Sequence, residues 1–375
     1  MITKYQCEKI IKENNGFYKK IQKVDDIEFS IYSYKIVDYS DFFKYSAFEL
    51  RGLTFINDFP DKPFYSIHKF FNLNENEFYS LSNIKKLIGN KIKIREKIDG
   101  SLISTIYHND KIYVKSKTSF NSIQAKKSQE FINENKNYQD FIKYCYDNNL
   151  QPIFEYVSPE NQIVLFYPEI KLICIQIRTN RGKYLDYFDY LQLCKKFNIP
   201  YAKEYNYLLD DLIKLQEIEK DIEGWVASNI NQTFFFKVKT NWYLERHRLI
   251  APDNLRENLI LEYILNETID DIISYLSFES EKRKYLENIR QKVNFYFNKK
   301  VEEIFIILKE NQGLSRKEFA LKFKDNHEYF SVLIKCFGIF DREKVMKELK
   351  EYLLRNYNRQ ERAKRFFERI ENEIN

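Results

Sequence analysis

The sequence has no long uncharged apolar run, and this absence excludes a membrane-spanning helix and predicts no membrane partner. The first residues mix charged and apolar side chains, so they do not show the pattern of a signal peptide. Cysteine is also scarce: the five residues are odd in number and scattered, without the spacing of a disulfide framework or of a CxxC metal site. We therefore expect a protein of the reducing cytoplasm.

Glycine and proline are few, with 8 and 7 residues in a chain of 375. The backbone can therefore approach a ligand closely at only a few positions, which makes each glycine informative. The chain also lacks a strong charge of either sign, because a formal net charge of +6 permits an anionic partner without requiring one. With 44% hydrophobic and 31% charged residues, the composition is that of a globular protein long enough for two domains.

Apolar residues alternate with polar ones in many short runs before residue 240, and this period of two predicts strands. We expect strands over residues 27–36, 48–55, 91–96, 102–107, 111–117, 151–157, 163–166, 172–178, 222–228 and 234–240. Apolar spacing of three to four residues predicts helices within 2–23, 187–197 and 208–220, and a long helical stretch over 122–148 that is broken near 133–137. A turn is expected over residues 58–63.

The spacing of apolar residues changes near residue 252. Strand-like alternation stops there, and Leu, Ile, Phe and Tyr recur every three to four residues between charged residues. This pattern predicts helices. The expected fold class is therefore α+β, with a mixed-sheet domain over residues 1–250 and an all-helical domain over residues 251–375. The boundary is expected near residues 245–255.

One lysine stands between a predicted strand and a tight turn, in the stretch Arg95–Leu102. Asp99 and Gly100 predict the bend between the two strands of a hairpin, and Lys97 at the strand end could point into a cleft. A lysine amine attacks phosphorus when it is deprotonated, and burial among other cations favours that state. The alternative, which this short stretch alone favours, is a surface hairpin with a solvated lysine.

Other charged residues stand in or beside predicted strands of the first domain. They are Arg51, Lys69, Lys117, Glu155, Glu223, Lys237 and Lys239. Several cations around a buried anion can neutralise the charge of a reacting triphosphate. The two carboxylates need partners if they are buried, and they could bind ribose hydroxyl groups or a divalent ion. Each residue also has a plain alternative, as for Arg51, which could be solvated on an edge strand.

Four motifs occur in the order that is typical of the covalent nucleotidyltransferases, which include DNA ligases, RNA ligases and capping enzymes. They are Lys97-x-Asp-Gly, Phe154-Glu-Tyr-Val, Glu223-Gly-Trp-Val and Lys237-Val-Lys239. Further stretches are similar to the RNA ligase 1 family of T-even phages. They include Glu49-Leu-Arg-Gly, Lys69-Phe-Phe-Asn, Trp242-Tyr243, Asp270-Asp271-Ile and Lys344-Val-Met-Lys-Glu, so the resemblance covers nearly the whole chain.

This resemblance implies a nucleotidyltransferase domain of the DNA-ligase and ATP-grasp type, and an ATP-dependent RNA ligase that joins a 5′-phosphate to a 3′-hydroxyl. In the family, the lysine attacks the ATP α-phosphate, AMP passes to the RNA 5′-phosphate, and the 3′-hydroxyl then displaces AMP. The implied substrate is a tRNA with a broken anticodon loop, for which the helical domain would supply specificity. The implied cofactors are ATP, with AMP carried on Lys97, and Mg²⁺ or Mn²⁺.

The resemblance also implies roles for individual residues. It makes Lys97 the nucleophile and Tyr243 a second catalytic residue, and it assigns nucleotide binding to Tyr34, Arg51, Lys69, Phe71, Gly100, Lys117, Glu155, Glu223, Lys237 and Lys239. Asp270 matches a metal-binding aspartate of the family in the tail domain, and Asp271 remains an alternative to it. Our own choice for a metal-binding carboxylate near the chemistry is Glu223. We further expect a monomer, located in a host cytoplasm if the chain is phage-encoded.

Two positions depart from the family pattern, Trp225 where a tyrosine is usual and Ile98 where an acid occurs, and neither supplies a reactive group. One alternative function is an RNA-binding protein that kept the fold without catalysis. The retention of Lys97 together with both acids argues against it, because binding alone needs no nucleophile. The other alternative is a different polynucleotide ligase or a capping-type enzyme, which usually appends an OB domain in place of a helical one.

Overall fold

The structure is a computed structural model, and it describes residues 2–246 and 255–374. It divides into two compact units. The first comprises Met1–Ile10, Ile21–Ser33 and Phe43–Ile250, and the second comprises Ile11–Lys20, Tyr34–Phe42 and Ala251–Asn375. The expected domain boundary near residues 245–255 falls mainly on residues 247–254, which lie outside the described residues. The assignment of residues 1–250 and 251–375 to two domains therefore stays a prediction.

The described strands form three sheets. In chain order they are β1 (Phe17–Val24), β2 (Ile27–Tyr34), β3 (Leu53–Ile56), β4 (Phe59–Phe64), β5 (Phe71–Asn72), β6 (Lys93–Glu96), β7 (Ser101–His108), β8 (Lys111–Lys115), β9 (Leu150–Val157), β10 (Lys171–Thr179), β11 (Glu204–Tyr205), β12 (Gly224–Ser228) and β13 (Phe235–Lys239). The first sheet has the order β1-β2-β3-β4, the second β10-β9-β7-β8, and the third β11-β6-β12-β13-β5. The third sheet is mixed, because β13 and β5 are parallel and its other pairs are antiparallel.

Helices alternate with strands up to residue 246, and the elements described after residue 254 are all helices. Before residue 247 they are α1 (Lys4–Glu13), α2 (Tyr39–Lys44), α3 (Leu81–Ile88), α4 (Ile123–Glu134), α5 (Lys136–Asp147), α6 (Tyr187–Lys196), α7 (Leu209–Ile218) and α8 (Asn241–Arg246), with short 3₁₀ turns at Glu77–Tyr79 and Pro159–Asn161. After residue 254 they are α9 (Glu257–Leu265), α10 (Ile269–Tyr275), α11 (Glu281–Glu310), α12 (Arg316–Phe323), α13 (Phe330–Cys336), α14 (Arg342–Asn356) and α15 (Gln360–Ile374). The α+β class is thereby confirmed. Within the two described ranges, no helix is both long and apolar enough to cross a membrane.

The helices α4 and α5 cover the second sheet. The Ser122 side chain begins α4 by accepting a hydrogen bond from the backbone N–H of Ala125, and Asn135 separates the two helices, as the predicted break requires. Phe141 of α5 packs with Phe154 of β9 in a fully buried core that spans both layers. This packing fixes β9, the strand that carries Glu155.

In the second unit, the 30-residue α11 supplies the long helix against which α9, α14 and α15 pack. Its buried residues include Leu286, Val293, Phe297, Ile304 and Leu308. These positions recur at intervals of seven and four, so they share one face of the helix. The apolar spacing that predicted helices here therefore reflects a shared core.

Several predicted elements are wrong. Helices were predicted within residues 2–23, but residues 17–24 form β1, and Ile21 on that strand is 52% exposed. Residues 48–52 form a turn, so β3 begins only at Leu53 and Arg51 is not on a strand. The strand β4 occupies the expected turn near residues 58–63, and residues 163–166 form no strand.

The expected hairpin at Asp99–Gly100 is also wrong. The strand before it, β6, pairs with β11 and β12 in the third sheet. The strand after it, β7, pairs with β8 and β9 in the second sheet. The segment Lys97–Gly100 is therefore a crossing between two sheets, and this crossing places Lys97 where the two sheets meet.

Candidate active site

Lys97 begins the crossing between the third and second sheets. Its backbone N–H donates a hydrogen bond to the carbonyl oxygen of Gly224 at the start of β12, at 2.9 Å. Its Nζ lies 2.8 Å from Oε2 of Glu223, and the side chains of the two residues are 23% and 4% exposed. The amine is therefore held by a buried carboxylate while part of the side chain stays accessible to solvent.

Glu223 bridges two lysines. Its other oxygen, Oε1, lies 3.5 Å from Nζ of Lys239, the last residue of β13. The register of β12 against β13 places Gly224 opposite Lys239 and Val226 opposite Lys237. Because side chains alternate along a strand, Lys237 and Lys239 face the same side of the third sheet, as the sequence predicted. A buried carboxylate is thus compensated by two cations.

Glu155 adds a second carboxyl group to this region. It lies on β9, partly buried, and its backbone is paired with Leu102 of β7. Burial raises the pKa of Glu155 to about 8, and the negative charges of Glu223 and Asp99 add to the rise, whereas Lys97 and Arg51 oppose it. At neutral pH this carboxyl group therefore holds its proton for most of the time, and it can both donate and accept hydrogen bonds.

Gly100 lies directly against the same strand. A Cβ atom at this position would come within 2.5 Å of the carbonyl oxygen of Tyr156 and 2.9 Å of Cγ of Glu155. Real Cβ atoms do not make contacts this short, so a larger residue would displace β9 or the Glu155 side chain. The glycine of the motif thus allows the Lys97 crossing to pass close to Glu155.

Asp99 fixes the crossing from inside, a role that the sequence reasoning missed. Its buried carboxylate accepts hydrogen bonds from the backbone N–H groups of Val164 and Leu165, at 2.9 and 2.8 Å, through Oδ2. Through Oδ1 it accepts a hydrogen bond at 2.7 Å from the hydroxyl of Tyr243. The motif marked Asp99 only as a turn residue, and no local signal named its partners.

Tyr243 is therefore tied to the Lys97 crossing by one hydrogen bond. The residue lies on α8 and is buried, and Nζ of Lys239 lies 5.3 Å from the centre of its ring. Two of the residues that the resemblance named, Tyr243 and Lys239, are thus in contact with the groups that hold Lys97.

The cations from earlier in the chain lie on loops beside these sheets. Lys69 is anchored by a hydrogen bond from its backbone N–H to the carbonyl oxygen of Phe48, at 2.7 Å, and its Nζ lies 4.6 Å above the ring of Phe71. Phe71 is on β5, which runs parallel to β13, and the backbone N–H of Leu73 donates to the carbonyl oxygen of Lys237. The segment that carries Lys69 and Phe71 is therefore attached to the strand that carries Lys237.

Arg51 and Lys117 lie on two turns that touch. Arg51 is in the turn before β3, and its Nη1 donates to the carbonyl oxygen of Ile67 at 3.4 Å. Lys117 follows β8, and its backbone carbonyl group packs against Gly52. Both side chains are partly buried.

A buried ion pair that was not predicted supports the Arg51 turn. Arg178 at the end of β10 donates to both carboxylate oxygens of Glu49, at 2.8 and 2.6 Å, and its guanidinium lies 4.5 Å from the ring centres of Tyr65 and Tyr184. The backbone N–H of Arg51 in turn donates to the carbonyl oxygen of Glu49 at 2.7 Å. An arginine inside an alternating apolar strand was the available signal for this buried pair.

Tyr34 and Asp270 belong to the second unit, whereas the residues above belong to the first. The ring of Tyr34 packs edge-on against Phe42 at 4.7 Å. Asp270 lies in the first turn of α10 and forms an ion pair with Arg290, and Nε of the same arginine lies 3.7 Å from Asp38. Over residues 2–246 and 255–374, no group of three or more His, Cys, Asp or Glu side chains is arranged to hold a metal ion.

A family model described as RNA ligase matches residues 49–243, which is more than half of the chain. The chain belongs to the RNA ligase family. The matched segment begins at Glu49 and ends at Tyr243, so it contains Lys97, Glu223 and the other first-unit residues described above. The resemblance drawn from the motifs is confirmed at the level of this family, and the chain is an enzyme that ligates RNA.

Relatives of this RNA ligase include two curated proteins. A candidate RNA ligase from Thermovibrio ammonificans is 26% identical over 332 residues, with 84% of each chain covered. An RNA ligase of Rhodothermus phage RM378 is 24% identical over 316 residues, with 70% of each chain covered. Among solved structures, an archaeal ATP-dependent RNA ligase is 10% identical, covers 80% of this chain and 79% of its own, and has a TM-score of 0.47.

Proposed function

We propose that this RNA ligase is ATP-dependent and joins 5′-phosphate and 3′-hydroxyl ends through a lysyl-AMP intermediate on Lys97. The observation that carries the proposal is the contact of 2.8 Å between Nζ of Lys97 and the buried carboxylate of Glu223, at a crossing where two sheets meet. A lysine amine must lose its proton before it attacks phosphorus. Glu223 is in contact with that proton and can accept it.

The first step would transfer AMP to the enzyme. The lone pair of the Lys97 amine forms a P–N bond to the ATP α-phosphate, and the bond from that phosphorus to the bridging oxygen breaks to release pyrophosphate. Lys237 and Lys239 face the same side of the third sheet beside Glu223, so they are the candidates to neutralise the α-phosphate. Arg51, Lys69 and Lys117 are the candidates for the remaining phosphates, and Glu155, which is largely protonated at neutral pH, for the ribose hydroxyl groups.

The next two steps would join the RNA. The 5′-phosphate of the RNA attacks the phosphorus of lysyl-AMP and releases the amine. The 3′-hydroxyl then attacks the activated 5′-phosphate and displaces AMP. The phosphoanhydride bond between AMP and the RNA 5′-phosphate activates that phosphate, because AMP is a good leaving group in the last step.

A divalent ion fits this site only with help from ATP. Glu223 is shared by two lysines, and Asp270 is paired with Arg290, so neither carboxylate is part of a preformed cage of ligands. Mg²⁺ in nucleotide sites is commonly held by the substrate phosphates with one or two carboxylates. When bound beside Glu223, such an ion would neutralise charge on the departing pyrophosphate. Asp270, which belongs to the second unit, is proposed separately as a metal-binding carboxylate, with Asp271 as its alternative.

The proposal is tested with ATP labelled at the α-phosphate, in the presence of Mg²⁺ or Mn²⁺. We expect the wild-type chain to become labelled and Lys97→Ala to remain unlabelled. Lys93→Ala is the matched control, because Lys93 lies on β6, the strand that leads to Lys97, and it pairs with Glu204 at 3.5 Å. A wild-type chain that takes up no label would contradict the proposed intermediate.

We propose further that the substrate is a tRNA with a broken anticodon loop, that the helical second domain supplies RNA specificity, and that the enzyme acts as a cytoplasmic monomer. The support for the tRNA assignment is the resemblance of the tail to the RNA ligase 1 family of T-even phages, and the support for the cytoplasm is the scattered cysteines. Sealing should be measured on a nicked tRNA stem-loop, a nicked duplex and single-stranded RNA at one salt concentration. Equal sealing of all three would contradict the tRNA assignment.

A further inference from the structure

Lys115, the last residue of β8, is a buried cation held by neutral groups. Its side chain is almost completely buried, at 1% exposure. Its Nζ donates hydrogen bonds to the backbone carbonyl oxygens of Gly52 at 2.8 Å, Ser116 at 3.3 Å and Lys117 at 3.3 Å. Among the residues that the structure describes, no carboxylate forms an ion pair with it. Lysine is almost never buried in this way unless it is paired.

The burial of this ammonium group is unfavourable. Desolvation lowers the pKa of Lys115 to about 7, from an ordinary value of 10.5. An apolar side chain of similar length would fill the same space without losing the hydration of a charge. A lysine at this position is therefore explained better by the groups that its three hydrogen bonds connect than by a gain in stability.

The three carbonyl groups belong to two separate turns. Gly52 precedes β3 in the first sheet, whereas Ser116 and Lys117 follow β8 in the second sheet. The turns are also in direct contact at Gly52, where a Cβ atom would lie inside 3.0 Å of the Lys117 carbonyl oxygen and 3.2 Å from Nζ of Lys115. Lys115 thus fastens one turn to the other at a point where no side chain could be inserted.

Each turn carries one of the candidate phosphate-binding cations. Arg51 immediately precedes Gly52, and its charge acts on Glu155 together with that of Lys97. Lys117 itself supplies one of the three carbonyl groups. The contacts that Lys115 makes therefore join the two turns that carry these cations.

We propose that Lys115 is a positioning residue for ATP, which joins the Arg51–Gly52 turn to the Ser116–Lys117 turn and so sets the spacing of Arg51 and Lys117 around the triphosphate. This inference rests on the proposed function, because it takes ATP as the ligand of these cations. Lys115 does not need to touch the nucleotide, since its Nζ lies within hydrogen-bond distance of three carbonyl oxygens, which is the number of N–H donors that a lysine ammonium has.

The test compares Lys115→Met, which keeps the length of the side chain without donors, with Lys115→Arg, which keeps donors and charge. Lys111→Met is the matched control, because Lys111 is on the same strand with an exposed side chain paired to Asp25 at 3.3 Å. The measurements are the Kd for ATP, the KM and kcat of lysyl-AMP formation, and the thermal midpoint of each variant. A displacement of phosphate-binding groups is expected to raise Kd and KM about tenfold in Lys115→Met, with kcat nearly unchanged.

The expected pattern also includes partial recovery of Kd in Lys115→Arg and wild-type values in Lys111→Met. If Lys115→Met does not fold, the same comparison is made with Lys115→Gln, which keeps N–H donors without charge. Wild-type Kd and KM in a folded Lys115 variant without the ammonium group would overturn the positioning role. A variant that loses both kcat and thermal stability but keeps the wild-type Kd for ATP would also overturn it.

The same data separate this inference from the proposed function. If the wild type binds ATP without forming lysyl-AMP, a raised Kd in Lys115→Met supports the positioning role while the ligase mechanism fails. If the wild type forms lysyl-AMP and Lys115→Met binds ATP equally well, the positioning role fails while the mechanism stands. A wild type that binds no ATP would contradict both.

Discussion

Two corners of the first unit hold buried charge in opposite ways. In the Lys97 corner, which consists of Lys97, Glu223 and Lys239, a carboxylate lies between two ammonium groups. In the Lys115 corner, which consists of Lys115 and the turns at Gly52 and Lys117, one ammonium group is surrounded by carbonyl dipoles. In the first corner a carboxylate compensates the ammonium charges, whereas in the second corner only backbone carbonyl groups compensate the ammonium charge.

Because of this difference, the two corners should respond differently to an anionic ligand. An incoming phosphate carries the same sign of charge as Glu223, so it can compete for Lys97 and Lys239 and change the pairing. The Lys115 corner has no carboxylate to exchange, so its hydrogen bonds can persist when an anion arrives. We therefore expect the Lys97 corner to take part in the reaction, and the Lys115 corner to hold its geometry.

The largest expected effect is on the Lys97 corner. Glu223→Gln leaves an amide that neither accepts the proton of Lys97 nor balances two cations, so the rate of lysyl-AMP formation should fall about 100-fold or more. The measurement is transfer of labelled AMP from ATP to the protein. Glu204→Gln is the control, since Glu204 pairs with Lys93 on the same sheet with both side chains more exposed. Near-wild-type labelling of Glu223→Gln would remove the carboxylate from the mechanism.

The next effect is on the Lys115 corner. Gly52 has a left-handed φ of 87°, and a Cβ atom there would overlap the carbonyl group of Lys117. Gly52→Ala should therefore lower the free energy of unfolding by about 1–3 kcal/mol and weaken ATP binding. Unfolding in urea measures the first quantity. Gly313→Ala should change stability by less than about 0.5 kcal/mol, because nothing lies within 4 Å of its Cβ position and no left-handed φ is required. Equal effects at the two glycines would contradict the tight contact.

A third prediction concerns the acid next to the Lys97 corner. The folded-state pKa of Glu155, about 8, lies above its ordinary value of 4.5, so the folded state binds more protons between these two pH values. The stability of the wild type relative to Glu155→Gln should therefore decrease as pH rises from 4.5 to about 8, and then level off. Urea unfolding of both proteins at several pH values in this window gives the difference directly. Parallel stability curves would mean that Glu155 is ionised at neutral pH.

The sequence could predict the part of the Lys97 corner that depends on local periodicity. Alternation in β13 placed Lys237 and Lys239 on one face, and the structure has them so. The short apolar run around Glu155 likewise predicted β9. In contrast, Phe17 and Ile21 fit a helical spacing, yet residues 17–24 form β1, because pairing with β2 overrides a weak local pattern.

The Lys115 corner could not be predicted from the sequence. The Asp99–Gly100 bend shows the reason. The turn signal is local, but the sheet that each neighbouring strand joins depends on a partner distant in sequence, which is β12 for β6 and β9 for β7. Lys115 is a similar case. Its neighbours at Gly52 are 63 residues away and use only backbone atoms, which leave no mark on the side-chain pattern.

The smallest expected effect is at Tyr243, and it tests whether this residue belongs to the Lys97 corner. Tyr243→Phe removes one hydrogen bond to Asp99, whose two backbone bonds remain, so the free energy of unfolding should fall by about 1–2 kcal/mol. The control is Tyr107→Phe, which removes a hydrogen bond of the same kind and length, to Asp110, at the surface, and should change little. If Tyr243 only holds Asp99, the rate of lysyl-AMP formation should fall by no more than about tenfold, because losing one such hydrogen bond can raise the activation barrier by only about 1.4 kcal/mol. A much larger loss of rate in a stable Tyr243→Phe protein would mean that the hydroxyl takes part in the chemistry, and that the Lys97 corner extends to α8.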